Sequence, residues 1–209
     1  MKYVNYSLYL VTERSLLQNI ELEQAVEEAI LGGTTLVQLR EKNISTMEFY
    51  KIAVNIKKIT DKYNVPLIID DRLDIALAVN AAGIHVGQSD MPCEIARKLV
   101  GKDKIIGVSA HTVEEALKAQ KDGADYLGVG AVFPTGTKKD AVDVSMETLK
   151  EIVQKVSIPV VAIGGVNQDN VDKLADTGID GISVISAIIG KKDVRKAAEE
   201  LKEAVEKFV

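Results

Sequence analysis

The segment Phe133-Pro134-Thr135-Gly136-Thr137-Lys138 has the composition of a phosphate-binding loop and follows an apolar stretch that is typical of a buried strand. The glycine lets backbone N–H groups approach an anion, and the threonine hydroxyls add neutral donors. Lys138 supplies a mobile positive charge that can follow oxygen atoms during a reaction. Solvated turns often have the same composition, so both interpretations stay open for this segment alone.

A second candidate for anion binding follows another apolar run. Gln38, Arg40 and Lys42 alternate along the chain, and alternate residues of an extended segment project to the same side. Arginine can bind phosphoryl oxygens with two parallel hydrogen bonds, and lysine can neutralise developing charge. The alternative is a strand end with two ordinary surface cations. We favour an anion clamp because Gln38 and Arg40 interrupt an otherwise apolar strand.

Acidic residues follow the next two apolar runs, at Asp70, Asp71 and Asp90. Mg²⁺ prefers oxygen ligands and commonly takes one or two carboxylates together with substrate phosphate and water. Asp71 and Asp90 are therefore candidate metal ligands opposite the basic clamp. Both also precede predicted helices, where aspartate is favoured as an N-cap, so capping is the alternative interpretation.

The chain has 2 histidines, and they differ in their surroundings. His111 follows Ser109 near a predicted strand end, where Ser109 could donate to phosphate and His111 could act as an acid or base. His111 could equally hydrogen-bond the loop that leads into the next helix. His85 lies between Ile84 and Val86 inside a predicted strand, which favours a packed, hydrogen-bonded imidazole.

Gly164-Gly165 and Ser186 lie at the ends of the last two apolar runs, and Ser186 precedes a predicted short helix. Backbone N–H groups converge at such positions and frequently bind phosphate. This gives a second, metal-free anion site suited to a monophosphate, whereas the first suits a diphosphate. The pair indicates a reaction between two phosphorylated molecules.

The elements that must position these residues are eight short apolar runs, separated by amphipathic helical patterns. The predicted strands span residues 8–11, 36–39, 67–69, 84–86, 105–108, 126–129, 160–163 and 182–185. Their near-continuous apolar character and the lack of hairpin dipeptides predict parallel strands that close as a single α/β domain over residues 1–209, a (β/α)₈ TIM barrel. The rival is an open doubly wound sheet, but no glycine-rich dinucleotide fingerprint follows the first strand.

Composition narrows the function classes. The net charge is −5 and there is no basic block, so we expect neither nucleic acid nor a membrane surface as a partner. The first ten residues suit neither a signal peptide nor a membrane span, so a cytoplasmic location is expected. The sequence leaves open whether the chain forms a homo-oligomer.

In their order along the chain, the motifs resemble those of the thiamine-phosphate synthase family. The resemblance covers nearly the whole chain and rests on QLREK at 38–42, DDR at 70–72, GIHVGQSDMP at 83–92, GVSAHT at 107–112, FPTGTK at 133–138 and GGV at 164–166. It implies a TIM-barrel transferase that joins 4-amino-2-methyl-5-(diphosphooxymethyl)pyrimidine to 4-methyl-5-(2-phosphooxyethyl)thiazole. The products would be thiamine phosphate and pyrophosphate.

The resemblance also implies roles for individual residues. The pyrimidine diphosphate would be held by Gln38, Leu39, Arg40, Glu41 and Lys42, with Asp70 at the pyrimidine. Mg²⁺ would be held by Asp71 and Asp90, and the departing pyrophosphate by Ser109 and Lys138. The thiazole phosphate would be held by Thr135, Gly136, Thr137, Gly165, Ile185 and Ser186. The residues implied to act on the leaving group are Arg40, Lys42, Ser109 and Lys138.

One departure from the family pattern is Asp70, where the family often has asparagine. A carboxylate changes the hydrogen bonds offered to the pyrimidine, and Asp70 could instead join the metal shell. By resemblance, pyrophosphate leaves first and the thiazole nitrogen captures the resulting pyrimidine carbocation. Stabilising charge on the leaving group is electrostatic catalysis, which requires no protein nucleophile or base.

Two alternatives remain at this stage. A thiazole tautomerase on the same barrel would need an acid/base group such as His111 but has no use for a metal and a diphosphate clamp. A catalytically silent phospho-ligand sensor would bind a ligand without turnover.

Overall fold

The computed structural model describes residues 4–136 and 142–209, and the predicted (β/α)₈ barrel is confirmed. Eight parallel strands hydrogen-bond in chain order, and the last pairs with the first to close the barrel. The strands are β1 (Leu8–Val11), β2 (Leu36–Leu39), β3 (Leu67–Asp70), β4 (Gly83–Val86), β5 (Ile105–Ala110), β6 (Tyr126–Val129), β7 (Val160–Ile163) and β8 (Gly181–Val184).

Helices follow most of the strands and cover the outside of the barrel. They are α1 (Leu22–Leu31), α2 (Thr46–Lys62), α3 (Leu73–Ala78), α4 (Cys93–Val100), α5 (Val113–Lys121), α6 (Met146–Lys155) and α7 (Val194–Val205). Two 3₁₀ helices, Arg14–Leu16 and Val171–Thr177, complete the set in the described part of the chain.

The prediction of a short helix beginning near Ser186 is wrong, because this segment forms a turn and not a helix. The Ile189 N–H donates to the Ile185 carbonyl at 3.0 Å, which is a helical hydrogen bond. The chain does not continue as a helix, and the next bond, from Lys191 N–H to the Ile188 carbonyl, spans only three residues. Gly190 packs closely against this turn, since an added Cβ would lie 2.9 Å from the Ser186 carbonyl oxygen.

Side chains alternate along each strand between two separate layers. The outward set, such as Leu39, Ile69 and Val129, joins the helices in one large apolar cluster. An inward set of Tyr6, Tyr9, Leu36, Ile68, Tyr126 and Val161 forms a second cluster inside the barrel. This alternation is the expected pattern for a closed barrel, in which each strand turns one face to the interior and the other to the helices.

Four strands have the predicted bounds, and the ends of the other four, β3, β4, β5 and β8, differ from prediction by one or two residues. Two of these differences affect the polar residues. Asp70 is the last residue of β3 and Ser109 lies inside β5, so both are held by strand pairing and not by a loop. No helix within residues 4–136 and 142–209 is long and apolar enough to cross a membrane.

Candidate active site

A cavity of about 400 Å³ opens at the carboxyl end of the barrel. Every strand contributes to its lining, for example Tyr9 from β1, Gln38 from β2 and Ser183 from β8. Most of the polar residues singled out in the sequence meet here, although the chain separates them widely. Chemistry at this end is expected for a parallel barrel, because the strand-to-helix loops converge around it.

Strand β2 places alternate residues at the cavity. Gln38, Arg40 and Lys42 line it, as their spacing predicts. The intervening residues do not: Leu39 is fully buried in the outward apolar cluster, and Glu41 Oε2 pairs with Arg14 at 2.8 Å. The two-residue period of an extended chain therefore separates the QLREK segment into an inward polar set and an outward structural set.

Arg40 is held by two carboxylates, one from the segment after β1 and one from the end of β3. Its Nη1 lies 2.5 Å from Glu13 Oε2, and its Nε lies 3.7 Å from Asp70 Oδ2. Glu13 is itself fixed, because its other oxygen accepts hydrogen bonds from the Ser15 backbone N–H and hydroxyl. The Arg40 Nε is buried beside Asp70 and has no hydrogen-bond partner among the described residues.

Asp70, Asp71 and Lys42 form a compact charged group at the cavity wall. Lys42 Nζ lies 3.3 Å from Asp70 Oδ2 and in direct contact with Asp71 Oδ2. Burial lowers the pKa of Lys42, but the hydrogen bond to Asp71 and the charges of both aspartates outweigh this and raise it. Burial, together with the charge of Asp71, raises the pKa of the Asp70 carboxyl to about 6.

Asp71 and Asp90 lie on the same side of the cavity, and neither caps a helix. The residue at the N-cap of α3 is Arg72 and that of α4 is Pro92, each without a side-chain cap. Asp90 Oδ2 instead accepts the Gly87 N–H at 2.8 Å. Burial raises the pKa of Asp90, the Gly87 hydrogen bond lowers it, and the charge of Asp71 raises it further.

This pair of carboxylates fits a divalent cation, because a cation would compensate the burial of Asp90 and the charge of Asp71, which both raise the Asp90 pKa. The described residues contain no cluster of three or more His, Cys, Asp or Glu side chains arranged to hold a metal. Two protein carboxylates would therefore need to be completed by substrate and water, which is the usual arrangement for Mg²⁺ at phosphate sites.

The two histidines have the surroundings that their positions suggest. His85 is buried, with Nδ1 3.0 Å from the Tyr126 hydroxyl and Nε2 3.0 Å from Ser109 Oγ. His111 lines the cavity rim, but its Nδ1 lies 3.0 Å from Glu115 Oε2, and that same oxygen accepts the His111 N–H at 2.7 Å. Glu115 thus ties His111 to the first turn of α5.

The opposite side of the cavity carries small and neutral groups. Gly165, Ile185, Ser186 and Thr135 line it, whereas Gly136 does not. Gly165 has a φ of +68°, and an added Cβ would lie 2.5 Å from the Pro134 carbonyl oxygen, so a glycine is required for this close approach. Thr137 and Lys138 lie outside the described residues.

Sequence reasoning missed four polar residues that the barrel brings to the cavity. Tyr9 and Ser183 come from strand interiors, and Gln88 and Ser89 come from the loop after β4. The Ser183 hydroxyl is buried without a hydrogen-bond partner in the described part of the chain. Strand alternation would have found Tyr9 and Ser183, because each lies two residues before another cavity residue, Val11 and Ile185.

Comparison with known proteins shows what the sequence is similar to. The sequence model of the thiamine monophosphate synthase family matches residues 8–188. The thiamine-phosphate synthase of Clostridium tetani (strain Massachusetts / E88) is 67% identical over 200 residues, which are 96% of this chain and 96% of that protein. The thiamine-phosphate synthase of Clostridium botulinum (strain Eklund 17B / Type B) is 58% identical over 205 residues, covering 98% and 96% respectively.

A solved structure gives the same result at the level of the fold. The thiamine phosphate pyrophosphorylase from Pyrococcus furiosus superposes with a TM-score of 0.91 at 47% sequence identity. The match covers 98% of each chain.

Proposed function

The chain belongs to the thiamine monophosphate synthase family, and on that premise we propose how its cavity carries out thiamine phosphate synthesis. The enzyme is a transferase that acts on phosphorylated small molecules. We infer that it condenses the pyrimidine diphosphate with the thiazole phosphate and releases pyrophosphate, within one catalytic domain over residues 1–209. The observation that carries the proposal is a single cavity lined by a cationic clamp, by paired carboxylates and by a neutral glycine-rich wall.

The diphosphate would bind at the clamp. Arg40 is fixed by Glu13 and lines the cavity, so its guanidinium is positioned to donate to a phosphoryl oxygen. Lys42 is positively charged and exposed to the cavity, and a diphosphate would compete with Asp70 and Asp71 for its ammonium group. The backbone of Leu39 and Glu41, not their side chains, would be the part of these residues available to substrate.

Asp71 and Asp90 would hold Mg²⁺, which supplies charge neutralisation to a leaving diphosphate when it is bound. The two carboxylates lie close together and are partly buried, and both burial and the like charge of Asp71 raise the pKa of Asp90. A bound cation would relieve both effects. Lys42 would then be released from Asp71 to contact phosphate. Asp70 would face the pyrimidine ring or join the metal shell, as its family position leaves open.

The chemistry that these side chains support is departure of pyrophosphate followed by capture of the pyrimidine carbocation by the thiazole nitrogen. Arg40, Lys42 and Ser109 would donate to the oxygens on which negative charge grows, and Lys138 has the same proposed role outside the described residues. Donors fixed in advance at such a site lower the barrier because they need not reorganise during the reaction. A dissociative route asks the protein for no nucleophile.

The thiazole phosphate would bind at the neutral wall. Gly164 and Gly165 have left-handed φ values of 94° and 68°, and the turn after Ile185 presents Ser186 to the cavity. Thr135, Gly136 and Thr137 would complete this site from the loop after β6. Backbone and hydroxyl donors suit a monophosphate that must be bound but not cleaved.

The two alternatives do not explain the charged groups of the cavity. A tautomerase could use His111 as acid or base, but it would have no use for the cationic clamp and the carboxylate pair in the same cavity. A silent sensor would not require the carboxylate pair. A cytoplasmic location stays a prediction, to be tested by cell fractionation, and light scattering would decide whether the chain forms a homo-oligomer.

The experiment that tests the proposal measures pyrophosphate release from the two substrates, with Mg²⁺ and with a chelator. We expect metal-dependent release with an equal amount of thiamine phosphate. Omission of the thiazole phosphate is the control for simple hydrolysis of the diphosphate. Binding of thiazole phosphate without any turnover would overturn the synthase mechanism and favour a sensor or an isomerase.

A further inference from the structure

Five side chains form a continuous hydrogen-bonded row across the barrel interior, and all of them except Tyr126 also line the cavity. Gln38 Nε2 donates to the Tyr9 hydroxyl at 2.7 Å, and the hydroxyls of Tyr9 and Tyr126 are 2.7 Å apart. The Tyr126 hydroxyl lies 3.0 Å from His85 Nδ1, and His85 Nε2 lies 3.0 Å from Ser109 Oγ. We call these five residues the interior row. Gln38 and Ser109, at its two ends, are both proposed to contact the pyrimidine diphosphate.

The backbone leaves space for this row at two glycines. A Cβ added to Gly107 would lie 2.1 Å from Tyr126 Cζ and 2.3 Å from its hydroxyl oxygen. A Cβ added to Gly128 would lie 3.2 Å from His85 Cε1. A larger residue at Gly107 would force the Tyr126 ring out of line, so the strands themselves are shaped around the row.

The hydrogen bonds of the interior row run in one preferred donor-to-acceptor direction, which the Tyr9 hydroxyl sets. Burial raises the pKa of both tyrosines, so both hydroxyls keep their protons at neutral pH. Tyr9 is only 2% exposed, and among the described residues its hydroxyl bonds to Gln38 and Tyr126 alone. Since Tyr9 accepts from Gln38, its own proton goes to Tyr126. The reverse direction would leave that buried proton without an acceptor, which is costly.

The direction of the Tyr9 hydrogen bond then fixes which atom donates in each later hydrogen bond of the row. Tyr126 has accepted from Tyr9 and donates its proton to His85 Nδ1. A neutral imidazole that accepts at Nδ1 carries its proton on Nε2, and that proton is donated to Ser109. The Ser109 hydroxyl, already an acceptor, is left to donate its own proton into the cavity. An anion can only accept, so this orientation suits a phosphoryl oxygen.

We propose that Tyr126 and Tyr9 are positioning residues that hold His85 as the Nε2–H tautomer and thereby keep Ser109 a donor toward bound anion. Only the identity of that anion as pyrophosphate rests on the proposed function. Neither tyrosine needs to touch the substrate, because the effect passes through His85 to Ser109. Hydrogen bonds in such a chain polarise one another, so each strengthens its neighbours.

The first test reads the tautomer directly from ¹⁵N chemical shifts of histidine-labelled protein without ligand. The chain has 2 histidines, and His111→Gln identifies the second signal. We expect His85 to carry its proton on Nε2 in the wild type and to shift toward a tautomer mixture in Tyr126→Phe. If the Gln38 amide were rotated so that its oxygen faced Tyr9, every hydrogen bond of the row would run in the opposite direction and His85 would carry its proton on Nδ1. A spectrum that shows a proton on Nδ1, or on both nitrogens, would overturn the proposal.

Tyr6→Phe is the matched control. Tyr6 is another buried tyrosine, its ring centroid lies 5.0 Å from that of Tyr126, and its hydroxyl is not a member of the row. Its substitution removes a buried phenolic oxygen from the same aromatic cluster while the row stays intact. Identical spectra for Tyr6→Phe and Tyr126→Phe would contradict a specific role for Tyr126.

The second test asks whether the tautomer affects anion binding, with inorganic pyrophosphate and Mg²⁺ as the probe. Tyr126→Phe is expected to weaken pyrophosphate binding about five- to tenfold, as for loss of one oriented hydrogen bond to an anion. Thiazole phosphate binding should not change. The double variant Tyr126→Phe/Ser109→Ala should bind pyrophosphate no more weakly than Ser109→Ala, and additive losses would overturn the proposal. A wild type that releases no pyrophosphate would refute the proposed function, while the tautomer would still be decided by its own spectrum.

Discussion

At the residue scale, the cavity consists of opposite charges held close together before any ligand arrives. Lys42 bridges Asp70 and Asp71, Arg40 lies between Glu13 and Asp70, and Asp90 is crowded by Asp71. Such a group is stable only because each charge is partly compensated, and it is arranged so that a cation and an anion together would complete it. Two substitutions separate these contributions.

Asp90→Asn should weaken metal binding without lowering the stability of the fold. The amide oxygen can still accept the Gly87 N–H, and the substitution removes a carboxylate whose pKa is raised by burial and by Asp71. We therefore expect the free energy of unfolding in chelator at pH 7 to be unchanged or higher. The Mg²⁺ concentration for half-maximal pyrophosphate release should rise by at least about tenfold. Asp103→Asn, at an exposed site, is the control. Loss of stability with an unchanged Mg²⁺ requirement would show that Asp90 is structural.

Asp70→Asn should change how stability depends on pH. Burial, with the charge of Asp71, raises the Asp70 pKa from 3.8 to about 6, so the folded state binds this proton more tightly than the unfolded chain. The contribution to stability is full below pH 4 and is lost as pH rises through about 6, to the extent of about 2 to 3 kcal/mol at pH 7. Asparagine does not titrate.

Urea unfolding in chelator at pH 4.5 and pH 7 measures this effect. The free energy of unfolding of Asp70→Asn, relative to wild type, should be higher at pH 7 than at pH 4.5. A difference that does not vary with pH would mean that Lys42 and Arg40 fully compensate the buried carboxylate.

At the element scale, strand pairing and close backbone approach fix the cavity wall. Gly83 begins β4 directly beside β5, and an added Cβ would lie 2.1 Å from the Ile105 carbonyl oxygen. Gly136 is different, because nothing lies within 4 Å of its added Cβ. The two glycines therefore differ in what an alanine would cost.

Gly83→Ala should lower Tm by roughly 5 to 10 °C, since the methyl group must push two paired strands apart. Gly136→Ala should leave Tm within about 2 °C of wild type. Thermal unfolding followed by circular dichroism compares the two. Equal Tm values for both variants would show that β4 and β5 can separate without loss of pairing.

Most of the strands and helices can be predicted from the sequence, and the elements that cannot be predicted have physical reasons. Apolar runs predict the eight strands because a parallel sheet is buried on both faces, and the two-residue period correctly groups Gln38, Arg40 and Lys42. The 3₁₀ segment Val171–Thr177 and the turn after β8 are missed, because helical periodicity does not distinguish a short tight turn from an α-helix.

The contacts within the site are less predictable than its members. Tyr9 and Tyr126 are 117 positions apart, and only the closed barrel brings their hydroxyls together. The sequence alone could not reject Asp71 and Asp90 as N-caps. The structure rejects them, because Arg72 and Pro92 occupy the capping positions. Composition can propose such groups, but closure of the barrel decides which of them meet.

At the whole-molecule scale, the cavity takes lining residues from all eight strands, so a ligand bound there contacts the entire closed barrel. Ligand binding should therefore stabilise the molecule against global unfolding and not merely order one loop. Because the cavity presents both anionic and cationic groups, Mg²⁺ and pyrophosphate should help each other to bind.

Mg²⁺ and pyrophosphate together should raise Tm by roughly 5 to 10 °C at concentrations near 100 times Kd, and by more than the sum of their separate shifts. The physical reason is that each ligand alone is repelled by the groups meant for the other. Differential scanning calorimetry measures the shifts, with sodium sulfate at equal ionic strength as the control. Strictly additive shifts would contradict the shared site.

The separation of the barrel into two layers has a consequence for evolution. The outward side chains and the helices hold the fold together, whereas the inward side chains shape the cavity and form the interior row. Selection acting on inward positions can change which molecules are bound without altering the contacts that keep the chain folded. Descendants of such a barrel can diverge in chemistry while their architecture is inherited intact.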